Sequence, residues 1–470
     1  MILPTLPIRR RQAALETLPP SGAWQVLLAL LVFTSLSFLR NAYAFSYPIL
    51  YGEDGYWIGR IMVEGFWHIL VHARSDYMVA GLIGLEGLAL FATRALFLSD
   101  ISALPQMIAV IASLIFGFVA TLPLLTLRDR LHSGFCWLIG LAIVLLPVGR
   151  DGYEIFGRIL NLGFYMPVIA QFALFALLYR QPSRWAMLLL HIAVLALMWS
   201  FPVVIGQYVV FIIFDSLSRR RNGEPFVLPV LAHLAMLALG ILSLDPIALT
   251  ASGGIPLPFK PASFLEFAVA RSTIFPLLAP VYHHLTDATT LAVFAALLVS
   301  VGIYSRRFGP GTIKLLDYRI FLFLNFGVMW AATLVMRKGL TSILDNYVTS
   351  FPDRYFTGVN IMFLTAWMVF GLSNPSMLYR RFAAIGFGAL ILCWLGTVPV
   401  FQRSITDMEQ RDFGTFRDTI CDTAAGRGTL LPAPAPRMVA LPIYPNAPDN
   451  PWRISVPRPI FDQTVKAQCR

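Results

Sequence analysis

Charge is what this sequence has least of. Only 13% of its 470 residues are Asp, Glu, Lys or Arg, whereas 57% are hydrophobic. A soluble globule of that size needs far more polar surface to coat it, so lipid must serve as the solvent. Other absences narrow the chemistry. The chain carries no Walker loop, no dinucleotide glycine fingerprint and no His-Glu-x-x-His motif, which argues against ATP-driven and nucleotide-cofactor chemistry. No internal repeat is visible. No nucleic-acid-binding motif accompanies the net charge of +11, so the basic excess is assigned to membrane topology and to anionic lipid head groups or phosphates. Cysteines number only four. Cys136 and Cys393 sit in apolar runs and read as small buried residues. Cys421 and Cys469 fall in a polar tail, where an oxidising compartment would let them staple a domain too small to hold itself together.

What the chain has in abundance is apolar runs. A helix needs roughly 20 mostly uncharged residues to cross a bilayer with its backbone satisfied. Runs fall near residues 22 to 39, 104 to 127, 135 to 148, 163 to 180, 185 to 200, 203 to 218, 226 to 244, 288 to 304, 318 to 336, 355 to 372 and 382 to 400. They predict an all-α polytopic membrane protein with about eleven spans, within a range of about 10 to 13. Ser200-Phe201-Pro202 splits one long stretch into a hairpin.

Arg9-Arg10-Arg11 before the first run place residues 1 to 21 in the cytoplasm. Alternation from there puts Arg128/Arg130, Arg180/Arg184, Arg219 to Arg221, Arg306/Arg307 with Lys314/Arg319, and Arg380/Arg381 in cytoplasmic loops. This holds only if residues 77 to 98 do not cross. That stretch has glycines at 81, 84 and 87 plus Glu86 and Arg94, and a central charge costs about 2.5 to 3.5 kcal/mol on insertion scales. It reads as a helix lying in the outer leaflet. A signal peptide ending at Ala42-Tyr43-Ala44 is the competing account of the first run, which is long for such a segment. The predicted organisation is a transmembrane module over residues 22 to 400, with a first outer loop over 41 to 104, and an extracytoplasmic C-terminal domain over 401 to 470.

The polar sequence gathers on the outer side. A second outer segment, 146 to 162, holds Arg150, Asp151, Glu154, Arg158 and Asn161. A proline-rich loop over 245 to 287 carries Lys260, Glu266, Arg271, His283 and His284. A short one contains Arg337, Lys338, Asp345, Asp353 and Arg354. The most informative stretch is Tyr51-Gly52-Glu53-Asp54-Gly55-Tyr56-Trp57. Adjacent carboxylates there could take a proton from an attacking hydroxyl, or bind a divalent cation (Mg2+ or Mn2+) that bridges to phosphate. A solvated turn between glycines accounts for the same residues.

One short cytoplasmic segment, one helix, then a long first outer loop opening on an acidic pair: this layout resembles the GT-C superfamily of glycosyltransferases, which use polyprenyl-phosphate-linked sugars. Glu53-Asp54 match the acidic motif of that family's first outer loop, and residues 58 to 72 and 77 to 98 look like its amphipathic helices. Glu154, Gly157 and Asn161, Asp353-Arg354-Tyr355-Phe356 entering a late helix, and the Ser200-Phe201-Pro202 break are similar to family features too. A departure is the glycine-rich 77 to 98 segment, where related bacterial sequences often show Pro-Arg-Leu.

The resemblance implies an inverting-type transfer of one sugar from a polyprenyl-phosphate donor, on the outer face of a bacterial plasma membrane. The acceptor would be a cell-surface glycan, a lipid-linked saccharide or a protein. Under that reading Asp54 is the base and Glu53 assists it or helps hold a metal. Arg354 leads the donor-phosphate clamp, with Arg150, Arg158 and Lys338 as further cations that also suit interface anchors. Tyr56, Trp57, His72, Glu154, Asn161 and Tyr355 would contact donor or acceptor, although histidines at a membrane interface, such as His72, His283 and His284, are more often structural. Other classes remain open: a transporter or flippase for a lipid-linked saccharide, an O-antigen-type polymerase, or a structural membrane component. Transporters favour repeats and ionisable groups near the midplane, whereas the charges here gather at the outer ends.

Overall fold

The computed structural model describes residues 22–74, 76–97, 100–149, 155–180, 182–245, 257–307, 317–344, 346–348, 353–397, 414–427, 436–447 and 450–469, and these are mostly helical. In chain order the main elements are α1 (Ala23–Arg40), α2 (Gly52–Glu64), α3 (Phe66–His72), α4 (Ala80–Leu96), α5 (Leu104–Thr126), α6 (Ser133–Val144), α7 (Met166–Tyr179), α8 (Arg184–Ser200), α9 (Val203–Asn222), α10 (Val227–Ile241), α11 (Asp287–Arg307), α12 (Tyr318–Met336), α13 (Asp353–Leu372), α14 (Met377–Trp394), α15 (Phe416–Ala424), β1 (Met438–Ala447), β2 (Asn450–Pro457) and α16 (Arg458–Gln468).

Each apolar run of the sequence contains a helix. Among the described residues, seven stretches are long and apolar enough to cross a membrane: Ala23–Arg40, Ile101–Thr126, Leu160–Tyr179, Pro261–His284, Tyr318–Met336, Arg354–Leu372 and Met377–Trp394. Helices α6, α8, α10 and the Asp287–Gly302 part of α11 are apolar but shorter. Helix α9 adds Arg219, Arg220 and Arg221 in its last turn and stops at Gly223, whose φ of 69° is left-handed. Basic residues at a C-terminus meet the negative end of the helix dipole, and the left-handed glycine lets the Gly223 and Glu224 amides close on the Arg220 and Arg219 carbonyls. Trp185, Leu189, Leu228, Phe382 and Ile385 project outward from the helices, as side chains do when lipid is the neighbour. The chain is a multi-pass membrane protein.

Helix α5 is the hub. Gly117 lies so close to Thr34 of α1 that a Cβ would collide with backbone, and Gly140 of α6 approaches the Ala120 carbonyl of α5 in the same way. Small residues let helices approach where lipid removes any hydrophobic gain from association.

Contacts sort the helix ends into two sets. Arg40, ending α1, donates to the carbonyls of Val144 (2.7 Å), the last residue of α6, and Leu146 (2.8 Å) just beyond it. Ser200 at the end of α8 accepts from the Gly81 amide of α4 (2.7 Å), and Asp245 beyond α10 donates its amide to the Asp76 carbonyl (2.9 Å). At the opposite ends, Arg180 donates to Leu125 and pairs with Asp129 at 3.0 Å, while Arg130 lies over Tyr179 and Tyr318.

Two expectations need correction. Residues 261 to 284 are not loop: they form a broken helix with a π-helical centre over Glu266–Ile274. Charged Glu266 and Arg271 interrupt the apolar pattern, yet both are buried, and Glu266 accepts from the Tyr347 amide (2.9 Å) and the Tyr282 hydroxyl (3.1 Å). Both ends of this segment return to one place, since the Lys260 amide donates to Thr341 (2.8 Å) while Tyr347 donates to Asp287 (2.6 Å). The tail, in turn, departs from the all-α expectation. Strands β1 and β2 pair antiparallel, and α15 and α16 are joined by the Cys421–Cys469 disulfide with Cα atoms 5.3 Å apart.

The tail folds onto the first long loop. Phe416 donates its amide to the Pro48 carbonyl, Tyr444 to Leu50, and Thr464 and Gln468 of α16 bond to Ile101 and Asp100. The disulfide closes a loop of 48 residues, for which chain entropy gives about 4 kcal/mol before any strain. Replacing both cysteines by serine is expected to destabilise the tail on that scale and open residues 414 to 469 to limited proteolysis. An unchanged digestion pattern and melting temperature would contradict it.

Candidate active site

The acidic pair lies on the first turn of α2 rather than in a solvated turn. Two carboxylates there meet the positive end of the helix dipole. The glycines act as a packing face: a Cβ at Gly52 would strike Trp452, one at Gly55 would strike Ile443, and one at Gly59 would meet the Ser455 amide at 2.9 Å. Helix α2 is thus pressed flat against the tail hairpin. That contact turns Asp54 inward, where it is fully buried, and leaves Glu53 half-buried at the rim.

Asp54 meets the second outer segment. Its Oδ1 accepts from the Leu160 amide (2.9 Å), while its buried Oδ2 has no hydrogen-bond partner. The turn that presents Leu160 depends on Gly157, with φ 74° and Asn41 so close that a Cβ would crowd its amide nitrogen at 2.8 Å. Asn41 bonds the Phe156 carbonyl across the same turn (2.8 Å). Burial raises the Asp54 pKa to about 6; the Arg158 charge and the Leu160 and Ile159 amides hold it down from a still higher value, and Glu53 adds a smaller upward push.

Arg158 is itself buried, donating to the Ile49 carbonyl (2.9 Å) with its guanidinium over Tyr51. Its charge acts on Asp54 and favours the ionised carboxylate. Arg354 stands at the rim. Its guanidinium is 3.6 Å from Glu53, donates to the Tyr355 hydroxyl (3.1 Å) and lies over that ring. Arg337 covers the same ring at 4.8 Å. Arg74 joins this edge through its charge interaction with Glu53, its bidentate pair with Asp76 and its position over Tyr77.

The remaining expected residues divide. Tyr56 is exposed and Trp57 half-buried beside the pair; Tyr56 meets Trp57 at 5.0 Å and Trp452 of the tail at 6.3 Å, each edge-on. Asn161 is buried close by in the turn after Leu160. Lys338 is exposed beside Arg337. His72 is exposed and stacks on His68 at 4.7 Å, on α3 rather than at the pair. Arg150 and Glu154 lie outside the described residues. As for a divalent cation, among the described residues no group of three or more His, Cys, Asp or Glu side chains stands close enough to hold one. Glu53 faces Arg354 and Asp54 accepts from the Leu160 amide.

The structure adds one acid that the sequence reading treated only as a bar to membrane crossing. Glu86 of α4 is fully buried, and neither of its oxygens has a hydrogen-bond partner. Burial lifts its pKa well above the usual range, and Asp54 and then Glu53 lift it further. Its signal in the sequence was an acid inside an apolar, glycine-rich helix. Comparison with protein-family models, with curated proteins and with solved structures returned no match.

A carboxyl group whose pKa is raised on folding favours the folded state most at low pH. For Asp54 that contribution is complete below 3.8 and is lost as pH rises through about 6, an effect of about 3 kcal/mol. Asp54→Asn is therefore expected to gain stability relative to the parent as pH is raised from about 4 to 7. Parallel melting curves of the two proteins across that range check it; a constant gap between them would refute the buried, raised carboxylate.

Proposed function

We propose that the protein is an inverting-type membrane glycosyltransferase of the GT-C kind, moving one sugar from a polyprenyl-phosphate donor to an acceptor hydroxyl. The observation that carries this reading is the side-by-side placement of a buried carboxylate with a pKa of about 6 and a rim of guanidinium groups at Arg354, Arg337 and Arg74. A base titrating near neutrality suits removal of a hydroxyl proton, and guanidiniums suit a leaving phosphate.

In the proposed step the acceptor oxygen attacks the anomeric carbon while the carbon–oxygen bond to the donor phosphate breaks. The hydroxyl proton passes to Asp54, and the leaving charge is met by Arg354 with Arg337 and Lys338. Glu53 holds Arg354 in place. Tyr56, Trp57 and Tyr355 offer ring faces beside the reacting groups. Because Asp54 is sealed in this structure, admission of substrate requires α2 to lift; it ends at Gly65, where φ is 92° and no atom crowds the missing Cβ, a suitable pivot.

The orientation is part of the proposal. Eleven crossings follow if α1 and α5 to α14 each traverse the membrane while residues 261 to 284 enter and return on one face. Support comes from the ends of that segment, both tied to residues 341 to 347. The acidic pair and the tail then share the extracytoplasmic face of a bacterial plasma membrane, opposite the basic loops.

A second reading, a transporter of a lipid-linked saccharide, is favoured by one observation. Tyr208, His233, Asp215 and Arg219 form a continuous polar chain between α9 and α10, with distances of 2.9, 3.4 and 2.7 Å, and His191 of α8 stacks on His233. Intramembrane ionisable groups often serve transport. Loss of flux in His233→Phe with sugar transfer absent would select that reading.

Asp54→Asn is expected to lower turnover of a polyprenyl-phosphate sugar by roughly 10² to 10⁴ with the fold intact, and Arg354→Ala to weaken both donor binding and turnover. Near-normal turnover of purified Asp54→Asn and Glu53→Gln in nanodiscs would remove the acidic pair from the chemistry. Topology is checked separately: a reporter fused after Arg221 should be cytoplasmic and one at Arg470 extracytoplasmic, and finding both on one side would contradict the odd count of crossings.

A further inference from the structure

Two fully buried carboxyl groups on helices that pack together, Asp54 of α2 and Glu86 of α4, cannot both stay charged without a cation for each. Asp54 has Arg158 and the Leu160 amide. Glu86, coming from α4 on the other side, has neither, and the charged groups that act on it are Asp54 and then Glu53, both carboxylates of α2. An ionised Glu86 would therefore carry an uncompensated charge in a dry site, at a cost large enough that the group takes up a proton instead. A neutral carboxyl group is a hydrogen-bond donor, and buried donors and acceptors are almost always matched. Here Asp54 Oδ2 and both Glu86 oxygens are wholly buried and lack partners. Two acids whose surroundings drive their titrations apart divide into a base and an acid.

We propose that Glu86 is the neutral, hydrogen-bond-donating partner of Asp54: it keeps its proton while Asp54 carries the charge, and its O–H is the donor offered to an oxygen of the bound saccharide. The oxygen it meets is a sugar hydroxyl or ring oxygen, because a neutral O–H donates to such groups without the charge repulsion a second carboxylate would impose. Glu86 gives up no proton during the transfer; the single proton that moves is the acceptor's, and it moves to Asp54. The assignment of a saccharide as ligand rests on the glycosyltransferase reading, but the protonation state does not.

The first test uses the free protein and is blind to whether any sugar is transferred. Infrared difference spectra at pH about 8 should show the carbonyl stretch of a protonated carboxyl group that disappears in Glu86→Gln, and the Asp54 midpoint, followed by its own band, should stay where it was. A fall of that midpoint by about one pH unit or more in Glu86→Gln would mean that a neighbouring negative charge had been removed, and would overturn the proposal. The second test is kinetic. Glu86→Leu should lower kcat/KM by roughly 10- to 100-fold, whereas Glu86→Gln, whose amide still donates, should recover most of it and lose any alkaline limb of the pH profile. If Glu86→Gln were as slow as Glu86→Leu while both fold normally, simple hydrogen-bond donation would be refuted. If the infrared result held but no variant or parent transferred sugar, the glycosyltransferase reading alone would fall.

Discussion

The bond from the Leu160 amide to Asp54 joins parts of the chain more than 100 residues apart, and the rest of the site depends on it. To accept that bond, α2 must lie with one face inward, and it does so because Gly52, Gly55 and Gly59 let the tail hairpin press on the other face. The hairpin keeps its position through α15 and α16, which the disulfide links and which bond back to Pro48, Asp100 and Ile101. A C-terminal segment far from the carboxylate in sequence thus packs on the helix that carries the carboxylate.

Burying an acid is costly, and here the cost is only partly offset. The helix dipole, Arg158 and the Leu160 and Ile159 amides favour the charged form of Asp54, yet desolvation outweighs them and leaves the pKa near 6. Complete compensation would have left an acid too weak as a base to matter at neutral pH. At Glu86 there is no compensation, and the proton stays. Charge at the rim follows a different rule, because Glu53 and Arg354 are partly solvated and face each other.

How much of this was legible in the sequence depended on whether the signal was local. Apolar runs are local, so each one marked a helix. Glu53-Asp54 stood out by composition, but whether the glycines made a turn or a packing face depended on Trp452, Ile443 and Ser455, nearly 400 residues away. Residues 261 to 284 read as loop because Pro276, Pro280, Glu266 and Arg271 break the pattern, and the partners that satisfy those charges, such as Tyr347, are not visible locally. The hairpin did leave a period-two trace, Ile454 and Val456 inward against Arg453 and Ser455, which the surrounding prolines masked. Glu86 was visible only as a misfit; its proximity to Asp54 is a product of the helix packing.

The central claim is that a buried carboxylate of raised pKa at Asp54 does the work of a base. The most direct measurement is the pH dependence of kcat/KM for sugar transfer from a polyprenyl-phosphate donor by the intact protein in nanodiscs. The account predicts an acid limb with its midpoint near 6, absent in what activity Asp54→Asn retains. A profile that is flat from about pH 5 to 8, or a limb that persists unchanged in Asp54→Asn, would contradict it.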